Sequence, residues 1–179
     1  MRWRSLEIQG GTADLPFDGI GGDDGGVCGS GVPEHWVRAA ATAGEALLFA
    51  LHAAVKATSA TAGLLHRVRE PFIGLVTSSA HGPVGTESEL GQVIPHYDDG
   101  LDAARAGCMV LGPKDGGAAE RAIARRFAAC GPTLSVVAMV PIFDGDDLMA
   151  MLELARADHP FRWSDADVLR SIAELVSAR

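Results

Sequence analysis

The chain is poor in cysteine, in basic residues and in long apolar runs. Its three cysteines (Cys28, Cys108 and Cys130) fit neither a secreted disulfide framework nor a C-x-x-C zinc spacing, so we expect reduced thiols. Lys and Arg number 15 against 23 Asp and Glu, and this acidic balance argues against a nucleic-acid or acidic-membrane partner, because both need basic patches. The longest apolar run, Ala46 to Leu51, is far shorter than the ~18 residues of a spanning helix. No signal-peptide pattern is found, and we expect a cytoplasmic protein.

What the chain does contain is enough apolar material for one core. It has 179 residues, of which 47% are hydrophobic. Residues 9 to 32 are dominated by Gly and Asp and hold few large apolar groups, which predicts a flexible leader over residues 1 to 32. A phosphate-binding loop would need a Gly-Lys-Ser/Thr ending, which this stretch lacks. Residues 33 to 179 then form a single domain.

Apolar periodicity and turn residues predict four helices and five strands in this domain. The predicted helices are a long one from Pro33 to Val55, a short one from Gly100 to Ala106 capped by Asp98 or Asp99, one after Gly117 that ends at Gly131, and one capped by Ser164. The predicted strands are a hairpin over residues 63–70 and 72–79, and then 108–111, 134–142 and 148–154.

The strand from Leu134 to Ile142 is apolar on both alternating faces, which predicts a place at the centre of the sheet with cover on both sides. The order of elements indicates an α+β fold with a mostly antiparallel sheet and helices at both ends of the chain. Arg121, Arg125 and Arg126 should face solvent on the third helix, with an anionic ligand or an acidic partner as the alternative.

Short motifs lie along these elements. The first group is Ile94-Pro95, Gly100-Leu101 and the run from Ala106 to Leu111, and the second is Gly131, Ser135, Met139 to Ile142, Phe161, Asp165, Leu169, Ile172 and Ala173. With these motifs, residues 34 to 179 resemble a GAF domain. The first group is similar to the helix and strand that border the ligand cavity in that family, and the second to its central strand and closing helix. One departure is Ala150, where the family commonly has glycine, with Met149 and Met151 on either side.

The resemblance implies a cytoplasmic regulatory module whose sheet packs on its first and last helices, with a loop-roofed cavity on the other face. Such domains often dimerise through those helices, and the surplus apolar surface of the first helix points the same way. Residues expected at the interface are Trp36, Ala43, Phe49, Ala50, Val168 and Leu175.

Residues near the expected cavity, most of them polar, are the candidates for ligand contact. They lie in the second strand, the roofing loops and the bordering strand: Thr77, Ser79, His81, His96, Tyr97, Asp98 and Met109. Helix capping is the competing interpretation for Asp98 and Asp99. No metal-ligand spacing occurs, and His66, in a strand, is interpreted as a satisfied histidine rather than a haem ligand.

These observations predict a non-enzymatic regulatory domain that senses a small molecule or binds a protein partner in trans, as a homodimer. The sequence identifies neither the ligand nor a cofactor. The alternative is a thiol-dependent reductase of the free methionine sulfoxide type, a branch of the resembled family. Its cysteines lie in loops over the pocket, whereas here Cys28 belongs to the leader, Cys108 opens a strand and Cys130 ends a helix.

Overall fold

The computed structural model describes residues 37–38, 40–69, 74–83, 85–131 and 133–178. The predicted leader, Cys28 and the interface candidate Trp36 lie outside the described residues. The elements follow one another as α1 (Ala43–Thr58), β1 (Ala62–Arg69), β2 (Gly74–His81), α2 (Asp99–Arg105), β3 (Val110–Pro113), α3 (Ala118–Arg126), β4 (Val136–Asp144), β5 (Asp147–Arg156) and α4 (Trp163–Ser177). Two 3₁₀ turns, Thr86–Glu89 and Ala128–Cys130, precede α2 and follow α3.

The five strands form one antiparallel sheet in the order β2-β1-β5-β4-β3. This confirms the α+β fold, the hairpin and the mostly antiparallel sheet. The strand predicted at the centre, β4, is buried on both faces as expected, but β5 occupies the middle position. Among the described residues, no helix is both long enough and apolar enough to cross a membrane.

The helix α1 begins inside the longer helix that the apolar spacing predicts. Thr42 has extended backbone angles, and its side-chain oxygen accepts a hydrogen bond from the Glu45 N–H at 3.1 Å. The Glu45 carboxylate in turn accepts from the Ala41 N–H at 2.8 Å. Such reciprocal bonds start a helix, so the pattern Thr-x-x-Glu marks a new helix inside the predicted one.

The first and last helices pack against each other on one face of the sheet, which we call the helix face. Leu47 and Leu51 of α1, Leu169 and Ile172 of α4, and Leu152 of β5 are all buried in its core. Burial of each such side chain contributes roughly 1.5–3 kcal/mol to folding. This arrangement is the central prediction from the sequence, and it is confirmed.

The opposite face, which we call the pocket face, is covered by α2, α3 and the segment before them. Leu101 of α2 and Ile123 and Phe127 of the α3 region pack there on Met139 and Met151 of the sheet. The short helix α2 is capped by Asp98, whose Oδ1 accepts from the Leu101 N–H at 3.0 Å, as predicted.

The last helix starts two residues earlier than expected. It begins at Trp163 with Arg162 at the cap position, not Ser164. The Asp165 carboxylate accepts a hydrogen bond from the Arg162 N–H at 2.8 Å, which satisfies one of the free donors at the helix start. Asp165, rather than Ser164, therefore fixes where the helix begins.

Candidate functional site

A pocket of about 430 Å³ opens on the pocket face of the sheet. Thr77 of β2 and Arg126 of α3 lie in its wall, together with Asp98 at the start of α2. The remaining lining residues come from α3 and from the segment between β2 and α2, which we call the roof segment: Glu89, Gln92, Val93, Ile94, Pro95, Tyr97, Ala122 and Arg125. The sheet, two helices and one loop thus converge on a single concave site, which is the usual form of a small-molecule site.

The floor of this pocket is built around Arg126. Its Nε donates to both oxygens of Glu153, at 2.8 Å and 3.1 Å, and its Nη2 donates to Glu153 Oε1. Its Nη1 donates to Asp98 Oδ2 at 2.7 Å. One guanidinium therefore joins α3, the central strand and the cap of α2, in the forked geometry that suits arginine and carboxylates.

Two further side chains extend the network into the hairpin. His66 of β1 is fully buried, and its Nε2 lies 3.1 Å from Glu153 Oε2. Its Nδ1 lies 3.0 Å from the Thr77 hydroxyl oxygen. The ring donates from Nε2 to Glu153, and the Thr77 hydroxyl oxygen can accept from a protonated Nδ1 or donate to a neutral one. The prediction that His66 is a satisfied histidine agrees with this bonding.

The network keeps its central carboxylate charged. Burial alone would raise the pKa of Glu153, but attraction to Arg126 and the charge and hydrogen bond of His66 outweigh burial and lower that pKa to about 2. Burial opposes the charge of Arg126 as well, and Glu153 and Asp98 together raise its pKa above the ordinary value. Both ions are therefore present at neutral pH.

Gly100 makes room for this ion pair. A Cβ built on Gly100 would lie 2.8 Å from Arg126 Nη2 and 3.1 Å from Asp98 Oδ1. Since both groups are held by buried ionic bonds, neither can move away cheaply. The glycine lets α2 approach the guanidinium closely enough for Asp98 to reach it.

Three of the seven candidate ligand residues line this pocket. Thr77 and Asp98 do so as members of the network, and Tyr97 does so at the mouth, where it is largely exposed. His96 points elsewhere, because its ring and carbonyl contact Arg105 at the other end of α2.

Ser79, His81 and Met109 are not brought to the pocket. The Met109 side chain packs against the core on the helix face. Ser79 pairs with Leu65, whose side chain also lies in that core, and the His81 ring meets the His52 ring of α1 at 5.4 Å between centroids.

A β-bulge explains the displacement of Ser79 and His81. Strict alternation would put them on the same face as Thr77, but the register of the hairpin shifts between Leu65 and His66. One unpaired residue in β2 reverses which face the following side chains occupy. Ser79 and His81 therefore lie on the helix face, and His81 ends β2 rather than standing in a roofing loop as expected.

The interface candidates also differ in their placement. Ala50 is fully buried between α1 and the sheet, so it cannot contact a second protomer, and its assignment is wrong. Phe49, Val168 and Leu175 are half-buried at the edge of the same core, and Ala43 is exposed at the start of α1.

Arg126 and Glu153 are the functional residues that the sequence reasoning missed. Arg126 was expected in solvent, but it is directed into the pocket floor, unlike its neighbours Arg121 and Arg125, which are exposed as predicted. Glu153 gave the available signal, because it is the only charged residue within the apolar run from Leu148 to Ala155. A charge in a buried strand requires a buried partner of opposite sign.

The two described cysteines lie outside the pocket lining. Cys130 is partly buried beside the roof segment, with its sulfur 3.2 Å from the Thr86 hydroxyl oxygen. Cys108 follows α2, where its sulfur is 3.8 Å from the Ala106 carbonyl oxygen. Within the described part of the chain, no three His, Cys, Asp or Glu side chains are arranged to hold a metal ion.

Comparison with known proteins gives matches in structure only. No protein-family model and no curated protein matches the sequence. The GAF domain of an Acinetobacter phosphoenolpyruvate-protein phosphotransferase superposes with a TM-score of 0.63 at 8% identity, covering 81% of this chain and 86% of that one. The GAF domain of the Coxiella burnetii phosphotransferase gives 0.65 at 15% identity, covering 79% and 84%.

A third similar structure is an enzyme. It is the free methionine-R-sulfoxide reductase of Neisseria meningitidis in complex with its substrate, with a TM-score of 0.63, 17% identity, and 81% of each chain covered. Identities this low establish the fold and nothing more specific. The paired terminal helices, the strand order and these three structures agree that the chain has a GAF-like fold.

Proposed function

We propose that this chain is a non-enzymatic regulatory domain that binds a small molecule in the pocket on the pocket face. The supporting observation is that the pocket floor is preorganised: Arg126, Asp98 and Thr77 are held in place through the buried Glu153 and His66. Because these polar groups are already fixed, less side-chain entropy is lost when a ligand binds, and a preorganised site of this kind favours specific binding.

The central strand β5 offers a route from the pocket to the terminal helices. Glu153 projects to the pocket face, while Leu152 and Leu154 on either side of it pack in the core of the helix face. A ligand that favours one position of this strand would shift the packing of α1 and α4, by no more free energy than its affinities for the two states differ.

We propose that the signal leaves through α1 and α4, in a homodimer or through a protein partner in trans, and that the protein works in the cytoplasm. The half-buried Phe49, Val168 and Leu175 support a contact surface there, and the unpaired Cys108 and Cys130 suit a reducing compartment. Light scattering on wild type and on Leu48→Glu, an exposed position of α1, tests the dimer. Equal masses for the two proteins would contradict this choice of surface.

Native mass spectrometry and an absorbance spectrum of freshly purified protein test the sensing role. A co-purifying small molecule, lost on substitution of Arg125 in the pocket wall, supports it. Protein that carries nothing, and that no small molecule stabilises against heat, would instead support a module whose surface binds other proteins.

The second candidate is a thiol-dependent reductase, favoured by the similarity to the Neisseria enzyme. Its test is turnover of free methionine-R-sulfoxide by wild type and by the double variant Cys108→Ser/Cys130→Ser. Turnover that the double variant lacks would establish the enzyme and overturn the non-enzymatic assignment.

A further inference from the structure

Two further charged groups of opposite sign line the pocket. Glu89 belongs to the turn Thr86–Glu89, and Arg125 to α3. Within the described part of the chain, neither side chain forms an ion pair or a hydrogen bond, and no ion pair joins the two although both border the same space. Each therefore presents its charge to the pocket.

The other charges of the pocket are already satisfied. Arg126 is bound by Asp98 and Glu153, so its guanidinium has little attraction left for an anion. The lining holds two carboxylates and two guanidinium groups, and the carboxylate of Glu153 lies just behind them. A pocket without excess positive charge does not suit a phosphate group or another multiply charged anion.

We propose that the ligand is a small zwitterion with amino-acid chemistry, whose ammonium group pairs with Glu89 and whose carboxylate pairs with Arg125. This proposal rests on the proposed sensing function and specifies its ligand class. Arginine binds carboxylates in a bidentate manner, and a carboxylate is the natural partner for an ammonium group. The apolar part of such a ligand would lie against Val93, Ile94 and Pro95.

The environment of Glu89 agrees with this assignment. Partial burial in the pocket wall raises its pKa, while the positive charges of His66 and Arg126 act in the opposite direction. A carboxylate that loses hydration without gaining a partner is stabilised by an incoming cation. Affinity should therefore fall when acid protonates Glu89, and this dependence should disappear in Glu89→Gln.

The experiment is calorimetric titration of wild type with the free L-amino acids one by one. The tightest one is then compared with its N-acetyl derivative, which lacks the cation, and with its amide, which lacks the anion. We expect each derivative to bind wild type about 10- to 100-fold more weakly, as for loss of a charged hydrogen bond. Glu89→Gln should no longer discriminate against the N-acetyl derivative, and Arg125→Gln should no longer discriminate against the amide.

Glu87→Gln and Arg121→Gln are matched controls, because both residues are exposed on the same two elements but lie outside the pocket lining. Their affinities should equal that of wild type. If the free amino acid and both derivatives bound with equal affinity, the proposal of a zwitterionic ligand would be wrong, although the proposed small-molecule binding would still hold. Binding of inorganic phosphate that Arg125→Gln abolishes would do the same. If no probe binds and no molecule co-purifies, the sensing function fails as well.

Discussion

Two arginines, Arg156 on the helix face and Arg126 on the pocket face, are largely shielded from solvent, and they are bonded differently. Arg156 lies at the end of β5 on the helix face, where it donates to the carbonyl oxygens of Thr58 and His159 at 2.6 Å each and to that of Pro160. Its carboxylate partner, Asp165, is 2.9 Å away and partly exposed. Arg156 thus ties the end of α1 to the start of α4.

Arg126, on the pocket face, is held by carboxylates instead of carbonyl groups. Glu153 is completely buried, and Asp98 nearly so. The role of each arginine therefore follows from its bonding partners. Bonds to neutral carbonyl oxygens hold the ends of α1 and α4 together, whereas bonds to buried carboxylates form a polar pocket floor that depends on the arginine.

The largest effect should come from removing each arginine in turn. Arg126→Met removes the guanidinium from the buried carboxylate of Glu153 and leaves it bonded to His66, so we expect a loss of about 3–5 kcal/mol of unfolding free energy. Arg156→Met leaves neutral carbonyl groups and a carboxylate that is partly exposed, so a smaller loss of about 1–3 kcal/mol is expected. Urea unfolding at pH 7 measures both.

A double variant, Arg126→Met/Glu153→Met, serves as the control for this pair. It removes both charges, and we expect it to be more stable than Arg126→Met alone, because paired buried ions replaced together cost little. Equal losses for the two arginines, with no recovery in the double variant, would contradict the distinction between the two faces.

Acid should affect the two faces differently as well. In the unfolded chain Glu153 titrates at its ordinary pKa of 4.5, and in the folded protein at about 2. The unfolded state therefore binds more protons between these values, and stability falls as the pH falls through them. The contribution of Glu153 is about 3 kcal/mol, fully present above pH 4.5 and lost by about pH 2.

The arginine variants separate this contribution from that of the surface carboxylates. Arg156→Met should keep the same acid loss as wild type, because Glu153 is untouched. In Arg126→Met the pKa of Glu153 is no longer held down, so the stability difference from wild type should narrow as the pH falls. A difference that stays constant between pH 5 and pH 3 would show that Arg126 does not hold Glu153 ionised.

Alanine substitutions at two helix glycines, one on each face of the sheet, should change the free energy of unfolding by smaller amounts and in opposite directions. Gly100→Ala pushes a methyl group against Arg126 and Asp98, and we expect a loss of about 1–3 kcal/mol. In Gly44→Ala, in α1, the new methyl group meets the flexible end of Arg67 at 3.4 Å and the Thr42 hydroxyl oxygen at 3.8 Å, so the helix preference of alanine should stabilise the protein by up to about 1 kcal/mol. Thermal unfolding should show shifts of opposite sign, and shifts of the same sign would contradict the close approach at Gly100.

The helices and strands of this protein could be predicted from the sequence better than the residues of its pocket. Apolar spacing located the helices and strands, because one buried face imposes a period on each element. The Thr42 cap was missed because the apolar pattern continues across it. Arg126 and Glu153 are 27 residues apart in the sequence, and their pairing depends on the direction of one side chain of α3. Local sequence patterns do not predict such a contact.

The bulge in the hairpin is the other reason why the site was only partly predicted. Thr77, Ser79 and His81 alternate perfectly in sequence, and nothing in their neighbours shows that an extra residue intervenes. Register depends on the hydrogen bonds of the pair, including the one from the Ser78 hydroxyl to the Leu65 carbonyl at 3.2 Å. Site residues before the bulge could be predicted, and those after it could not.

The smallest predicted effect tests this division directly. Thr77→Val removes the hydroxyl that bonds to buried His66, and we expect a loss of about 1 kcal/mol. Ser79 follows the bulge, two positions after Thr77, and lies on the helix face. Ser79→Ala should therefore change the free energy of unfolding by less than about 0.5 kcal/mol. Urea unfolding of the two variants side by side measures the difference. If Ser79→Ala cost as much as Thr77→Val, the serine would have a buried polar partner, and the assignment of these strand positions to opposite faces would have to be given up.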